Sequence, residues 1–407
     1  MISNKIIVKE FFMELVYLWV EDYKNIKKQG FNFSPRFRCD YDEITKELKV
    51  VDKEETGEFY PKNFFGDNIN ITAIVGENGS GKSSLLTKLT YQRIVIEKDE
   101  VFYSHKFKNI KSIQKIKPIN QELYEIIHID YDLIRIKPID EDYFFSKKSP
   151  KLYTKAFERR SEHSSLFDIK KLEINIYSLI FKYKNIFKSE IFVFNPIKIL
   201  LSENKVPSRD NNSERFSESN FMSFYKEKKI NYEKLDNLKE VFEFLNKYDE
   251  SSSILINDFE IIYKKNEETF LELIRIGYLQ INLKDSLGRE YFGLSQGERK
   301  LFTEMLMIYD EINNTEKKDI FLLLDEPDLT LHPQWQKNYI KELIKLLSTF
   351  PTKEFHVIIT SHSSFILSDL PKENIIFLEK GKQVYPFDNG KQTFGANIHT
   401  LLSHGFL

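Results

Sequence analysis

The stretch ITAIVGENGSGKSSLL, residues 71–86, constrains this chain more than any other. A short apolar run leads into three glycines, a lysine and three serines, and residues 76–83 satisfy G-x-x-x-x-G-K-[ST]. That pattern has physical meaning when a strand precedes it and a helix follows, and the flanking residues predict both. Backbone N–H groups of Gly79, Ser80 and Gly81 can then wrap phosphate oxygens at the start of a helix. Lys82 would reach the β- and γ-phosphates of ATP, and the Ser83 hydroxyl would ligate Mg²⁺. The expected nucleotide-binding segment is Gly76, Glu77, Asn78, Gly79, Ser80, Gly81, Lys82, Ser83 and Ser84. A mere glycine turn into a helix would need neither the lysine nor the serine.

A second element, IFLLLDE at 320–326, is an apolar strand ending in two carboxylates. Asp325 is placed to hold Mg²⁺ directly or through water, and Glu326 to take a proton from an attacking water. Such strands are common, and the glycine loop upstream is what gives this one its reading.

LSQGE at 294–298 precedes a predicted helix, where Ser295 and Glu298 can form a capping box. The pentapeptide also resembles the signature loop of ABC-class ATPases, in which Ser295 and the backbone of Gly297 would touch the γ-phosphate held by the opposite subunit. PDLTLHP resembles the D-loop of SMC-type and RecF-like ATPases, with Asp328 facing the partner head. VIITSHS supplies His362 at a strand end, matching the switch histidine of that class. A glutamine for the Q-loop is not assigned: Gln92, Gln114 and Gln121 lie in range, and IIHIDYD can occupy that place without one.

The fold expected is α/β, an ABC-type head whose mixed sheet is flanked by helices. A mainly helical insertion interrupts it between the glycine loop and LSQGE. Residues 1–100 would form the N-terminal part of the head, 101–285 the insertion, and 286–407 the C-terminal part. Pattern predicts a strand at FMELVYLWV, a second at KELKVV, and a helix through SSLLTKLTYQRIVI. Another helix is expected around Leu235, Leu238, Phe242 and Leu245. Further expectations are a helix at GERKLFTEMLMIYDEI, a strand at FHVIITSH, a helix with Pro333 in its first turn, and a hairpin at NIIFLEKGKQVYPF.

At 407 residues, with 41% hydrophobic and 30% charged residues, the chain has material for a sizeable core and reads as globular. A net charge of −2 excludes a general electrostatic grip on nucleic acid, so contact with DNA or RNA would be local. Residues 101–118 hold five lysines and no acid, and 147–160 hold six basic residues and one glutamate. Either could grip phosphates or form a solvated face. The single cysteine, Cys39, excludes an internal disulfide and a cysteine-based zinc site. It fits a reducing, cytoplasmic setting. No membrane span is apparent.

About 210 residues separate Lys82 from Ser295, more than a transporter subunit and fewer than a long coiled-coil SMC protein would have there. LVYLWVEDYKNIKKQGFNFSP and TFGANIHTLLSHGF resemble the ATPases of the Septu antiphage system and the related retron-associated ATPases. That resemblance implies an Mg²⁺-dependent ATPase, two heads sandwiching ATP or a higher oligomer, and an HNH endonuclease as partner. It also implies a helical region past Leu407, so the chain reads as a shortened or minimal member. Two other readings remain open: a nucleotide-gated scaffold with negligible turnover, and a RecF-like repair ATPase.

Overall fold

A computed structural model of the chain describes residues 13–89, 93–98, 101–105, 107, 109–111, 116–119, 124–130, 176–203, 216–228, 237–248, 252–329, 331–387, 392–397 and 401. The chain divides into two compact units, one from residues 1–135 with 308–407 and one from 136–307.

The first unit is built on a six-stranded sheet. Its order is β10 (Glu125–Asp130), β14 (Asp319–Asp325), β15 (Glu354–Ser361), β5 (Ile69–Gly76), β16 (Ile375–Glu379) and β17 (Lys382–Val384). The first five strands run parallel, and β17 returns antiparallel as the expected hairpin. Every residue of β5 and β15 is buried, as expected of parallel strands covered on both faces. This register brings the carboxyl ends of β5, β14 and β15 side by side. β10, carrying the IIHID segment, lies beside β14 with Asp130 in register with Asp325.

A five-stranded sheet packs in the same unit, in the order β2 (Ile26–Asn32), β1 (Glu14–Tyr23), β6 (Arg93–Lys98), β7 (Val101–His105) and β9 (Ile116–Pro118). A smaller sheet joins β3 (Phe37–Asp42), β4 (Glu47–Asp52) and β8 (Asn109–Lys111). KELKVV is therefore a strand, β4, but in this small sheet; the strand feeding the glycine loop is β5.

β1 is apolar along most of its length because both its faces are covered. Leu15, Leu18 and Val20 join one core with Ile74 of β5, Leu323 of β14 and Ile358 of β15. Val16, Tyr17 and Trp19 enter a second core with Phe37, Cys39 and Leu48. A register shift between Leu15 and Tyr17 breaks strict alternation, which is how Val16 and Tyr17 reach the same core.

Helix α1 (Lys82–Lys88) buries Leu85 and Leu86 in the first of these cores. It is shorter than the spacing predicts: residues 93–98 leave the helix and pair with β1 as β6. The run Ile94-Val95-Ile96 is β-branched, and tertiary pairing outweighs the helical spacing that Leu85 and Leu89 begin.

The second unit contains an antiparallel sheet, β12 (Ser253–Leu255), β11 (Pro196–Glu203) and β13 (Leu279–Asp285), with helices α2 (Glu218–Lys228), α3 (Leu238–Leu245), α4 (Ile256–Lys265) and α5 (Glu267–Arg275). Leu238, Val241, Phe242 and Leu245 form the buried stripe of α3, as their spacing predicts; Leu235 lies outside the described residues. Tyr278 is fully buried, with the rings of Phe221 and Phe224 each 5.2 Å from its own. The abundant aromatics here serve packing. Helix α6 (Gln296–Asn314) begins in this unit. The overall class is the expected one: α/β with mixed sheets flanked by helices. Among the described residues, no helix is long and apolar enough to cross a membrane.

Candidate functional site

The glycine loop turns sharply between β5 and α1, and its glycines answer different demands. Gly76 at φ +155° has no room for a Cβ, which would collide with the carbonyl oxygen of Leu378. Gly79, at φ +80°, lies in open space and is needed for its backbone angle alone. Gly81, at φ +112°, combines both demands, since a Cβ there would sit 3.0 Å from Asn25 Oδ1. Glu77, Asn78 and Gly79 are exposed, whereas Ser80 is buried with no hydrogen-bond partner for its hydroxyl. Gly81 is the N-cap of α1, where no side chain caps the helix.

At the adjoining strand ends, four charged or titratable side chains converge. Lys82 is only 4% exposed, and its Nζ donates to the carbonyls of Gly76 at 3.2 Å and Glu77 at 3.3 Å. The same Nζ lies 2.6 Å from His362 Nε2 and 3.7 Å from Glu326 Oε1. His362 Nε2 is also 3.0 Å from Glu326 Oε1. A single ring nitrogen cannot accept from Lys82 and donate to Glu326 at once, so the imidazole tautomer selects one of the two bonds. Ser83 Oγ donates to Asp325 Oδ1 at 3.1 Å.

Burial pulls the Lys82 ammonium below its usual pKa, against the opposing effect of Glu326 and Asp325. The hydrogen bond to His362 holds the Glu326 carboxyl below the usual range, outweighing burial that would raise it. Glu326 is thus ionised at neutral pH, the state a proton acceptor requires.

Glu326 itself has φ +50°, an uncommon angle for a residue with a Cβ. It is held there by Thr360, whose carbonyl accepts from the Glu326 N–H at 3.2 Å and whose Oγ1 accepts at 2.8 Å. The Thr360 hydroxyl donates in turn to Asp325.

The Asp328 carboxylate is turned inward: the residue is 3% exposed, and Oδ2 accepts from Ser361 Oγ at 2.8 Å. The Ser363 N–H donates to that same Ser361 oxygen at 2.8 Å. Ser363 Oγ donates to Gln336 Oε1 at 2.9 Å, while Gln336 Nε2 reaches the Asp328 and Leu331 carbonyls. Gln336 belongs to helix α7 (Pro333–Leu347), with Pro333 at its first turn as predicted. The segment holding His362 is thereby stitched to the segment holding Asp328. A cavity of about 190 Å³ opens there, lined by Glu326, Asp328, Leu329, Gln336 and His362 among others.

Of the residues singled out in the sequence, the structure brings together the glycine loop, Lys82, Ser83, Asp325, Glu326 and His362. Ser295 and Gly297 belong to the second unit. There the Ser295 N–H donates to Glu298 Oε2 at 2.9 Å and the Glu298 N–H donates back to Ser295 Oγ at 3.2 Å, the reciprocal capping box that the pentapeptide allows. Ser295 is exposed and Gly297 buried. Gln92, Gln114, Gln121 and the basic stretch 147–160 lie outside the described residues. Sequence reasoning did not single out Asn25, Thr360, Ser361, Gln336 or Gly381. These are ordinary polar or turn residues whose importance arises only from tertiary approach.

The residues of the glycine loop and the adjoining strand end have the chemistry to hold a phosphate chain and Mg²⁺: the loop contains a buried Ser80 hydroxyl lacking a partner, and two hard oxygen donors, Ser83 and Asp325, already touch.

Several known proteins are similar. The retron Vc95 probable ATPase of Vibrio cholerae serotype O1 biovar El Tor is 27% identical over 194 residues, covering 42% of this chain and 36% of the relative. The retron Ec83 probable ATPase of Escherichia coli is 32% identical over 108 residues, 25% of this chain and 19% of the relative. The chain thus aligns with well under half the length of either. Among solved structures, an SMC head bound to the C-terminal winged-helix domain of ScpA is 12% identical with a TM-score of 0.32, covering 91% of this chain and 96% of that one. The ATP-binding cassette MJ1267 of an ABC transporter is 14% identical with a TM-score of 0.28, covering 92% and 89%. The strand order, not these loose superpositions, defines the fold. Residues 71–368, most of the chain, match the family described as "AAA domain, putative AbiEii toxin, Type IV TA system", and the chain belongs to that family.

Proposed function

We propose that the chain is an Mg²⁺-dependent ATPase of an antiphage defence system, in which two heads close over ATP and control a partner HNH endonuclease. The observation that carries the ATPase reading is the convergence of Lys82, Ser83, Asp325, Glu326 and His362 beside the glycine loop. The retron relatives and the Septu-like segments support the defence setting. In this reading residues 1–100 and 286–407 form the head around an insertion at 101–285, whose first part, 101–130, adds strands β7 to β10 to the sheets of the first unit.

Lys82 and the loop N–H groups bind and orient the phosphates. Ser83 and Asp325 would hold Mg²⁺, which supplies charge neutralisation for phosphoryl transfer. Glu326, ionised and fixed by Thr360, accepts a proton from the attacking water. His362 keeps a proton donor at the Glu326–Lys82 junction. Ser295 and Gly297 of a second copy close over the nucleotide, and inward-turned Asp328 holds the loop on which Leu329 stands exposed.

The test is Glu326→Gln. ATP hydrolysis should be lost while an ATP-bound dimer accumulates, read by light scattering on size-exclusion chromatography. A variant that stays monomeric with ATP removes head closure from the reading. If partner nuclease output is unchanged when turnover is lost, hydrolysis is not the driver and a nucleotide-gated scaffold replaces it. Affinity capture of the native protein should recover a small HNH protein; reproducible recovery of recombination factors alone would favour the RecF-like repair reading.

A further inference from the structure

Two hairpin turns, distant in sequence from the glycine loop, meet it on its outer side. The β1–β2 turn carries Asn25, whose Nδ2 donates to the Gly79 carbonyl at 2.9 Å. The β16–β17 turn carries Gly381, whose N–H donates to the Ser80 carbonyl at 2.9 Å. The turns also press on one another, since a Cβ on Gly381 would collide with the Asn25 carbonyl oxygen. The tips use left-handed backbone at Lys24, Lys380 and Gly381, with φ of +53°, +49° and +82°.

We infer that Asn25 and Gly381 are positioning residues that fix the orientation of the phosphate-binding peptides; this rests on the nucleotide reading above. A loop that presents N–H groups to an anion must direct its carbonyls elsewhere, and each carbonyl then needs a donor. In a trans peptide the N–H and C=O point in opposite directions. Tying the Ser80 carbonyl to Gly381 therefore aims the Gly81 N–H away from the hairpins. The Gly79–Ser80 peptide is held from both sides, its carbonyl by Asn25 and its N–H by the Glu77 carbonyl at 3.1 Å. Rotation of the Ser80–Gly81 peptide would replace its donor with a carbonyl oxygen facing a polyanion, and the held Gly79–Ser80 peptide fixes the turn that leads into it. Glycine freedom makes such rotation easy at 79 and 81, so the restraint has to come from outside the loop.

The experiment measures the full chain's affinity for a fluorescent methylanthraniloyl-ATP, steady-state ATP hydrolysis and thermal unfolding. It compares Asn25→Ala, Asn25→Asp and Gly381→Ala, with Lys82→Ala as control. Loss of one neutral hydrogen bond predicts about fivefold weaker binding for Asn25→Ala, seen in KM with kcat changed less than about twofold. Asn25→Asp should weaken binding by about tenfold or more, because it removes the donor and places a carboxylate beside the loop. Gly381→Ala should weaken it through steric displacement of the turn. Amide hydrogen exchange at Gly79–Gly81 should accelerate in all three variants, which separates a local loosening from a general loss of stability. If both Asn25 variants bind as the parent does while Lys82→Ala loses binding, the brace is overturned and the nucleotide reading stands. If Lys82→Ala binds like the parent, the nucleotide reading falls and takes the brace with it.

Discussion

The two ends of the parallel sheet are both polar, but in opposite ways. At the carboxyl end, Lys82, Glu326 and His362 crowd within 3.7 Å, with Glu326 in an uncommon backbone conformation. At the amino end, Glu14, Asn70, His356 and Asn374 are buried and bonded in sequence. Glu14 accepts from Ser34 Oγ at 2.6 Å and Asn70 Nδ2 at 3.2 Å, and Asn374 Nδ2 donates to Asn70 Oδ1 at 3.0 Å. His356 Nδ1 accepts from the Leu15 N–H at 2.9 Å, which leaves Nε2–H to donate to Thr72 Oγ1, also at 2.9 Å. Burial drives that imidazole down to about 3, so it is neutral throughout the physiological range. One end brings Lys82 and Glu326 onto a single imidazole nitrogen, while the other pairs its charges, Lys318 with Glu354 at 2.5 Å and Lys98 with Asp319, and uses neutral bonds to join β1 to β5 and β15. Polarity at a sheet end points to reactivity where two charges compete for one partner, as Lys82 and Glu326 do at His362.

Variants at each end should separate these roles. The largest effect expected is at the carboxyl end: Glu326→Gln should lower kcat by about 10²–10³, or about 3–4 kcal/mol of barrier, with little change in melting temperature. At the amino end, His356→Leu should orphan the Leu15 N–H and destabilise the chain by about 3 kcal/mol, measured by urea unfolding. Nucleotide affinity of the folded fraction should stay unchanged, and a loss there would merge the two ends functionally.

Glu14→Gln gives a smaller, pH-dependent effect. Burial raises the Glu14 carboxyl to about 8 from 4.5, with nearby Glu97 adding to the rise and Ser34 and Arg36 opposing it. The folded state therefore keeps a proton that the unfolded chain releases, so stability is fully present below pH 4.5 and declines between 4.5 and about 8. The amide variant should flatten that decline, gaining about 3 kcal/mol on the parent at pH 7 relative to pH 4.5 in unfolding titrations. An unchanged pH profile would mean that another group carries it. Smallest, Ser295→Ala in the second unit should cost about 1 kcal/mol through loss of the capping box, read as a shift in melting temperature.

Much of the carboxyl-end site was legible because its chemistry demands particular residues in short windows. GENGSGKS names its own loop, and IFLLLDE places two carboxylates at the end of a strand. His362 follows a run of residues that reads as a strand and becomes β15. IIHID also forms a strand, β10, which borders β14. What could not be read was support that closes over long sequence distances. Asn25 reaches Gly79 across 54 residues and Leu15 reaches His356 across 341, and no local pattern marks either pair. The overlong helix after Lys82 failed for the related reason that a β-branched segment takes its conformation from the strand it meets.

The two hairpin turns at the phosphate loop carry a consequence for how this protein can be dissected. Family similarity runs from residue 71 to 368, yet Asn25 and Gly381 both fall outside it. A fragment trimmed to those limits would retain the glycine loop, Asp325, Glu326 and His362. It would lack both outer donors to the loop, and also β1, the strand that caps His356 and fills the core beneath α1. The motifs are contiguous enough to excise, but the nucleotide site they describe is not a portable module.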